Sequence, residues 1–145
     1  MRPSKDEVML AVALALATRA TCRKRAVGCV LVDYKGRILS TGYNGTPAGL
    51  SHCTDFPCGG HILPPGSDSC QAVHAEINAL MQCQNTDAID TCYTTCMPCN
   101  NCLKSLLNTE CQRLVFFNEK DAVPPAAMEN WIISGRKVVK VDYFQ

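Results

Sequence analysis

The chain has 145 residues, 47% of them hydrophobic and 19% charged, which is enough for one compact domain with a real core and too few for two. A formal net charge of +1 excludes the global basic field that long nucleic acid calls for, but leaves room for a local patch that binds a small anion. Eleven cysteines, an odd count with no evident secretory signal, argue against a full disulfide framework and for metal ligation plus buried free thiols in a reducing cytoplasm.

Ser4, with Glu7 three residues on, reads as a capping box that opens a helix running to about residue 20. Residues 8–17 of this helix are almost wholly apolar, but the run is shorter than the roughly 18–20 residues of a membrane span, so a buried helix is expected. Residues 26–32 (AVGCVLV) and 37–43 (RILSTGY) are predicted strands joined by the turn Asp33-Tyr34-Lys35-Gly36, an N-terminal hairpin. Residues 44–73 differ in kind: four prolines, three cysteines and two histidines lie in a Gly-rich stretch with hardly any periodicity. A loop of that length is normally functional or pinned by something.

Strands and helices then alternate. Residues 74–83 are helical, 89–95 a strand, 98 to about 107 a helix beginning at Pro98, and 113–117 a strand. Residues 125–134 form a helix with Pro125 at its start and Gly135 past its end, and 137–141 are the last strand. This order implies parallel crossovers with helices on both faces, a three-layer α/β domain over residues 1–145.

His74-Ala75-Glu76 lies at the mouth of one helix and Pro98-Cys99-Asn100-Asn101-Cys102 at the mouth of another. Cysteines three apart on a helix present both sulfurs on one side, and the helix N-terminus favours their thiolates. With His74 as third ligand, a tetrahedral zinc keeps one position for water. Glu76 is then placed to take a proton from that water and pass it to a ring nitrogen and a leaving amine. This His-x-Glu with Pro-Cys-x-x-Cys set is the signature of zinc nucleobase deaminases. The bland alternative is a closed structural zinc site, with His74 or Cys96 completing a fourth ligand, but it leaves Glu76 without a purpose.

Over nearly the whole chain the residues resemble the deoxycytidylate (dCMP) deaminases of the cytidine-deaminase fold. The resemblance rests on Cys22 with Val27-Gly28, on the run from Gly42-Tyr43-Asn44-Gly45 to Gly49, on His74-Ala75-Glu76 with Asn78-Ala79, and on Tyr93-Thr94-Thr95 leading into Pro98-Cys99-x-x-Cys102. It implies a five-stranded mixed sheet whose last strands are parallel, and hydrolysis of dCMP to dUMP and ammonia. His74, Cys99 and Cys102 would hold the catalytic zinc, with Glu76 as proton shuttle, Asn44 on a sugar hydroxyl and the Ala75 amide on the base carbonyl. It further implies a homohexamer regulated by dCTP and dTTP near Gly42, Tyr43, Asn44 and Gly45. The sequence departs from relatives at Cys96, where an apolar or acidic residue is common, and at Lys24, where many have Arg.

Cys22, Cys53, Cys58 and Cys70 are candidate ligands for a second, structural zinc that would hold the long loop to one shape, with His52 or His61 able to replace Cys58. The bland reading is a set of unligated thiols. Arg23, Lys24 and Arg25 form a basic cluster, of which Lys24 and Arg25 are candidates for the substrate phosphate; a solvated turn is the alternative. Cys29, Cys83, Cys92 and Cys111 read as buried small hydrophobes, and Tyr93, Phe116, Phe117 and Trp131 as core. Competing functions are deamination of another cytosine or adenine compound and a zinc-stapled binding module without catalysis. Near-neutral charge opposes a tRNA substrate.

Overall fold

The computed structural model describes residues 1–21, 25–50 and 72–143. Helix α1 spans Lys5–Ala17, strands β1 and β2 Gly28–Val32 and Ile38–Tyr43, helix α2 Ala75–Gln82, and strand β3 Thr91–Thr94. Helix α3 (Asn100–Leu107), strand β4 (Arg113–Phe117), helix α4 (Ala127–Ile133) and strand β5 (Lys137–Val141) follow. The expected capping box is partly realised: the Ser4 hydroxyl accepts from the Glu7 amide at 3.1 Å.

Several boundaries differ from expectation, each for a local reason. Helix α1 stops at Ala17 because the Thr18 hydroxyl takes Ala15 O at 2.6 Å, while the Arg19 and Ala20 amides reach only three residues back. Strand β1 begins at Gly28, since the Val27 amide donates to the Asn44 side chain at 2.8 Å. Strand β3 is shorter than residues 89–95. Pro98 and Pro125 sit ahead of their helices rather than in them; α3 is capped by Cys99, and the first amide of α4, that of Ala127, is taken by Asn100 Oδ1 at 2.8 Å.

The sheet order is β2-β1-β3-β4-β5. Strand β1 is antiparallel to both β2 and β3, while β3, β4 and β5 run parallel, so the mixed sheet with an N-terminal hairpin is confirmed. The hairpin turn is closed by Asp33, whose Oδ1 accepts from the Lys35 and Arg37 amides, and Gly36 takes φ +83° there, a conformation that favours glycine.

Strand alternation divides the core in two. Cys29 and Leu31 of β1, Cys92 of β3, and Leu114 and Phe116 of β4 face α2, α3 and α4. Val30, Val32, Tyr93, Val115 and Phe117 face α1. These are the three layers expected. Cys29, Cys92 and Cys111 are buried as expected, whereas Cys83, at the end of α2, is only half-buried. No helix among the described residues is long and apolar enough to cross a membrane.

One polar network staples α1 to the sheet. Asp6 accepts from the Tyr93 hydroxyl at 2.6 Å and pairs with Arg113 at 2.9 Å, both partners being about three-quarters to two-thirds covered. Burial works to raise the Asp6 carboxyl, but the hydrogen bonds from Arg113 and Tyr93 outweigh it and hold its pKa below the ordinary 3.8. A depressed carboxylate stabilises the fold above its unfolded-state pKa and loses that contribution as pH falls through the lower folded value. Asp6→Asn should therefore lower stability by about 1–2 kcal/mol near neutrality. In urea titrations the deficit against the parent should shrink as pH drops from about 5 toward 3.

Candidate active site

Two helix N-termini meet at the C-terminal end of β3. His74 occupies the cap position of α2, and the residue before it, Val73, is bridged to Gly45 by two backbone hydrogen bonds of 3.1 and 2.7 Å. Asn78, one turn into α2, donates to Tyr43 O at 2.8 Å. Helix α2 lies so close on β2 that a Cβ at Gly42 would stand 2.4 Å from Ala75 O and 2.6 Å from the Ala79 amide nitrogen. Glycine is thus required at Gly42 by helix–strand contact. Cys99 caps α3 with its own sulfur, which accepts from the Cys102 amide at 3.5 Å.

This packing brings His74, Cys99 and Cys102 together. His74 Nδ1 lies 3.2 Å from Cys102 Sγ and 3.4 Å from Cys99 Sγ, and the two sulfurs are 3.4 Å apart. Tetrahedral zinc with bonds of about 2.0–2.3 Å needs ligand separations of about 3.4–3.8 Å, so a few tenths of an ångström of opening admits the ion. Among the described residues these three form the group of donors close enough to share an ion. Cys96 is outside it, and burial pushes its thiol up to about 12, so it stays protonated. The closed-site alternative therefore finds no support among the described side chains.

The electrostatics suit a cation. The hydrogen bond from Cys102 and, against burial, that from His74 hold the Cys99 thiol down to about 4, a thiolate at neutral pH. The same contact with Cys99 raises His74, and Cys102 is raised by sharing its proton with Cys99. A dication bound by His74, Cys99 and Cys102 would displace these protons and satisfy the sulfurs in their place.

Glu76, in the first turn of α2, is only 3% exposed. Its Oε1 accepts from the Thr94 hydroxyl at 2.8 Å. Among the described residues neither ion pair includes it, and burying an ionised carboxylate without a cation costs several kcal/mol. Folding alone gives no reason to keep it there; a metal ion beside it does. The sequence placed Thr94 in the Tyr93-Thr94-Thr95 run but gave it no role toward Glu76, although a hydroxyl on the helix-facing side of a central strand was the available signal.

The other expected contacts fall as follows. Asn44 is buried, and its side chain clamps the segment leading into β1, accepting from the Val27 amide at 2.8 Å and donating to Arg25 O at 2.6 Å. Tyr43 is half-buried beside it, and Gly45 is held in the bridge to Val73. Ala75 is fully buried, its amide in the first turn of α2, where no intrahelical acceptor exists. Arg25 lies near enough to influence His74 and Cys96 electrostatically and stands 3.6 Å from Glu119. Cys22, Arg23, Lys24, His52, Cys53, Cys58, His61 and Cys70 lie outside the described residues.

Two cysteines and a histidine converging on one point, with a buried carboxylate two residues from the histidine, define the zinc-hydrolase centre of nucleobase deaminases. The chain belongs to the cytidine and deoxycytidylate deaminase family, whose zinc-binding-region model matches residues 3–118. It is 38% identical to the deoxycytidylate deaminase of Mycobacterium phage D29 over 81% of this chain and 98% of that one. It is 35% identical to the deoxycytidylate deaminase of Saccharomyces cerevisiae over 80% of this chain, a span that covers 38% of the yeast protein. Among solved structures, the dCMP deaminase of cyanophage S-TIM5 in complex with dCMP and dUMP superimposes with a TM-score of 0.74 at 26% identity, covering 97% and 99% of the two chains.

Cys102→Ser should strip zinc from this centre, while Cys96→Ser should leave it in place; atomic-emission analysis of the purified variants distinguishes them. Zinc loss in the Cys96 variant would restore the closed-site reading.

Proposed function

We propose that this chain hydrolyses dCMP to dUMP and ammonia, with Glu76 carrying the proton. The observation that bears most weight is the burial of Glu76 two residues from His74 of the His74, Cys99 and Cys102 cluster, with no ion pair to it among the described residues. The names of the phage and yeast relatives and the nucleotides bound by the cyanophage enzyme support dCMP as substrate.

A zinc ion held by the three donors supplies Lewis acidity that makes water nucleophilic near neutral pH. The chain's own residues do the rest. Glu76 takes a proton from the attacking water and delivers it to the ring nitrogen. The oxygen–carbon bond forms at the amine-bearing carbon as the ring nitrogen takes that proton; the oxygen's second proton, relayed by Glu76, then goes to the amine, and the carbon–nitrogen bond breaks to release ammonia as the new carbonyl forms. The Ala75 amide offers a hydrogen bond to the base carbonyl. Asn44 has a second amide hydrogen, beyond the one given to Arg25 O, for a sugar hydroxyl. Arg25 is held by Glu119 only through a long, part-exposed pair, which a phosphate dianion displaces at little cost; Lys24, its neighbour in sequence, is assigned the same ligand.

Purified protein followed by ultraviolet absorbance with dCMP, CMP and cytidine should turn over dCMP with the highest kcat/KM. Glu76→Gln should retain zinc and fold yet lose about a thousandfold or more in kcat. Preference for cytidine overturns the substrate assignment, and an active Glu76→Gln overturns the shuttle.

The same reading extends to a second zinc on Cys22, Cys53, Cys58 and Cys70, to a homohexamer in the cytoplasm, and to dCTP and dTTP binding near Gly42, Tyr43, Asn44 and Gly45. Native mass spectrometry should find six chains with two zincs each and an added mass for either triphosphate. One zinc per chain, or no triphosphate adduct, removes the corresponding part.

A further inference from the structure

Thr94 closes β3, the central strand of the sheet. Its backbone is paired on both sides, with Cys29 of β1 and Phe116 of β4 as register partners. Alternation along β3 sends Tyr93 to the α1 face and Cys92 to the α2 face, so Thr94 shares the face of Cys92 and points at α2. The residue is fully buried, and its hydroxyl has one assigned acceptor, Glu76 Oε1 at 2.8 Å.

We propose that Thr94 is a positioning residue for the reaction: its hydroxyl holds one oxygen of the Glu76 carboxylate and so aims the other at the proton in transit. This inference rests on Glu76 as the proton carrier. A glutamate reaches its target through three rotatable bonds, and proton transfer demands heavy-atom distances near 3 Å. A hydrogen-bond donor on a β-branched side chain, itself on a doubly paired strand, is among the stiffest anchors a fold offers. A donor also suits only the carboxylate's acceptor atoms, so it selects one rotamer of Glu76 without competing for the metal. Thr94 does not touch the substrate. Its part is like that of the groups that orient ligands around metal centres from one layer out.

The test compares Thr94→Val, which keeps shape and removes the donor, with Thr94→Ser, which keeps the donor. With dCMP, Thr94→Val should lose roughly 10- to 100-fold in kcat with KM within about twofold of the parent, and Thr94→Ser should return to within about threefold. Zinc content and melting temperature should match the parent in both. In a Glu76→Gln background, Thr94→Val should add no further loss, because the group it aims is gone. A parental kcat in Thr94→Val, equal losses in the Val and Ser variants, zinc loss, or additivity with Glu76→Gln each overturns the assignment. Should Glu76→Gln itself remain active, the shuttle reading and this inference fall together. Should it be inactive while Thr94→Val is unimpaired, the inference alone falls.

Discussion

A thiolate held beside a buried carboxyl group, nearly out of water, concentrates negative charge that a cation must balance. That constraint organises the functional half of this protein. Glu76 is almost wholly buried, and Cys99 is already held as a thiolate by its neighbours. The helix N-termini that bear these residues supply partial positive charge, worth a fraction of a kcal/mol to about 2 kcal/mol. That is too little to offset a buried carboxylate, which costs several. A divalent ion held by the three donors would make up the difference, and the same ion would polarise water. Binding and catalysis thus share one electrostatic origin.

Holding three donors and a carboxylate to sub-ångström tolerance is a problem of support. The solution here is a switch point in the sheet. Strand β3 has an antiparallel neighbour, β1, on one side and a parallel neighbour, β4, on the other, and the crevice at its C-terminal end receives the N-termini of α2 and α3. The Gly-Tyr-Asn-Gly run braces this crevice from β2: Gly42 lets α2 approach, Tyr43 O takes Asn78, Asn44 clamps the lead into β1, and Gly45 pairs with the residue before His74. Much of the motif's meaning is therefore mechanical, and it acts directly on the metal ligand.

The opposite face is built for persistence. There Asp6 pins α1 to Tyr93 of β3 and to Arg113 at the start of β4, on the sheet face opposite the metal donors.

Much of this was legible along the chain. Apolar runs, capping residues and turn signals marked the four α-helices and five strands to within a few residues. The His-x-Glu and Pro-Cys-x-x-Cys spacings named the donors and the acid because those spacings, on helix mouths, dictate which side chains share a side. Spacing says nothing about partners distant in sequence. That Thr94 would meet Glu76 and that Asn44 would spend its side chain on residues 25–27 were settled by strand register and by the seat of α2 on β2. Contacts of that kind depend on which face a residue presents and on what the fold sets opposite it, and only the packed structure decides both.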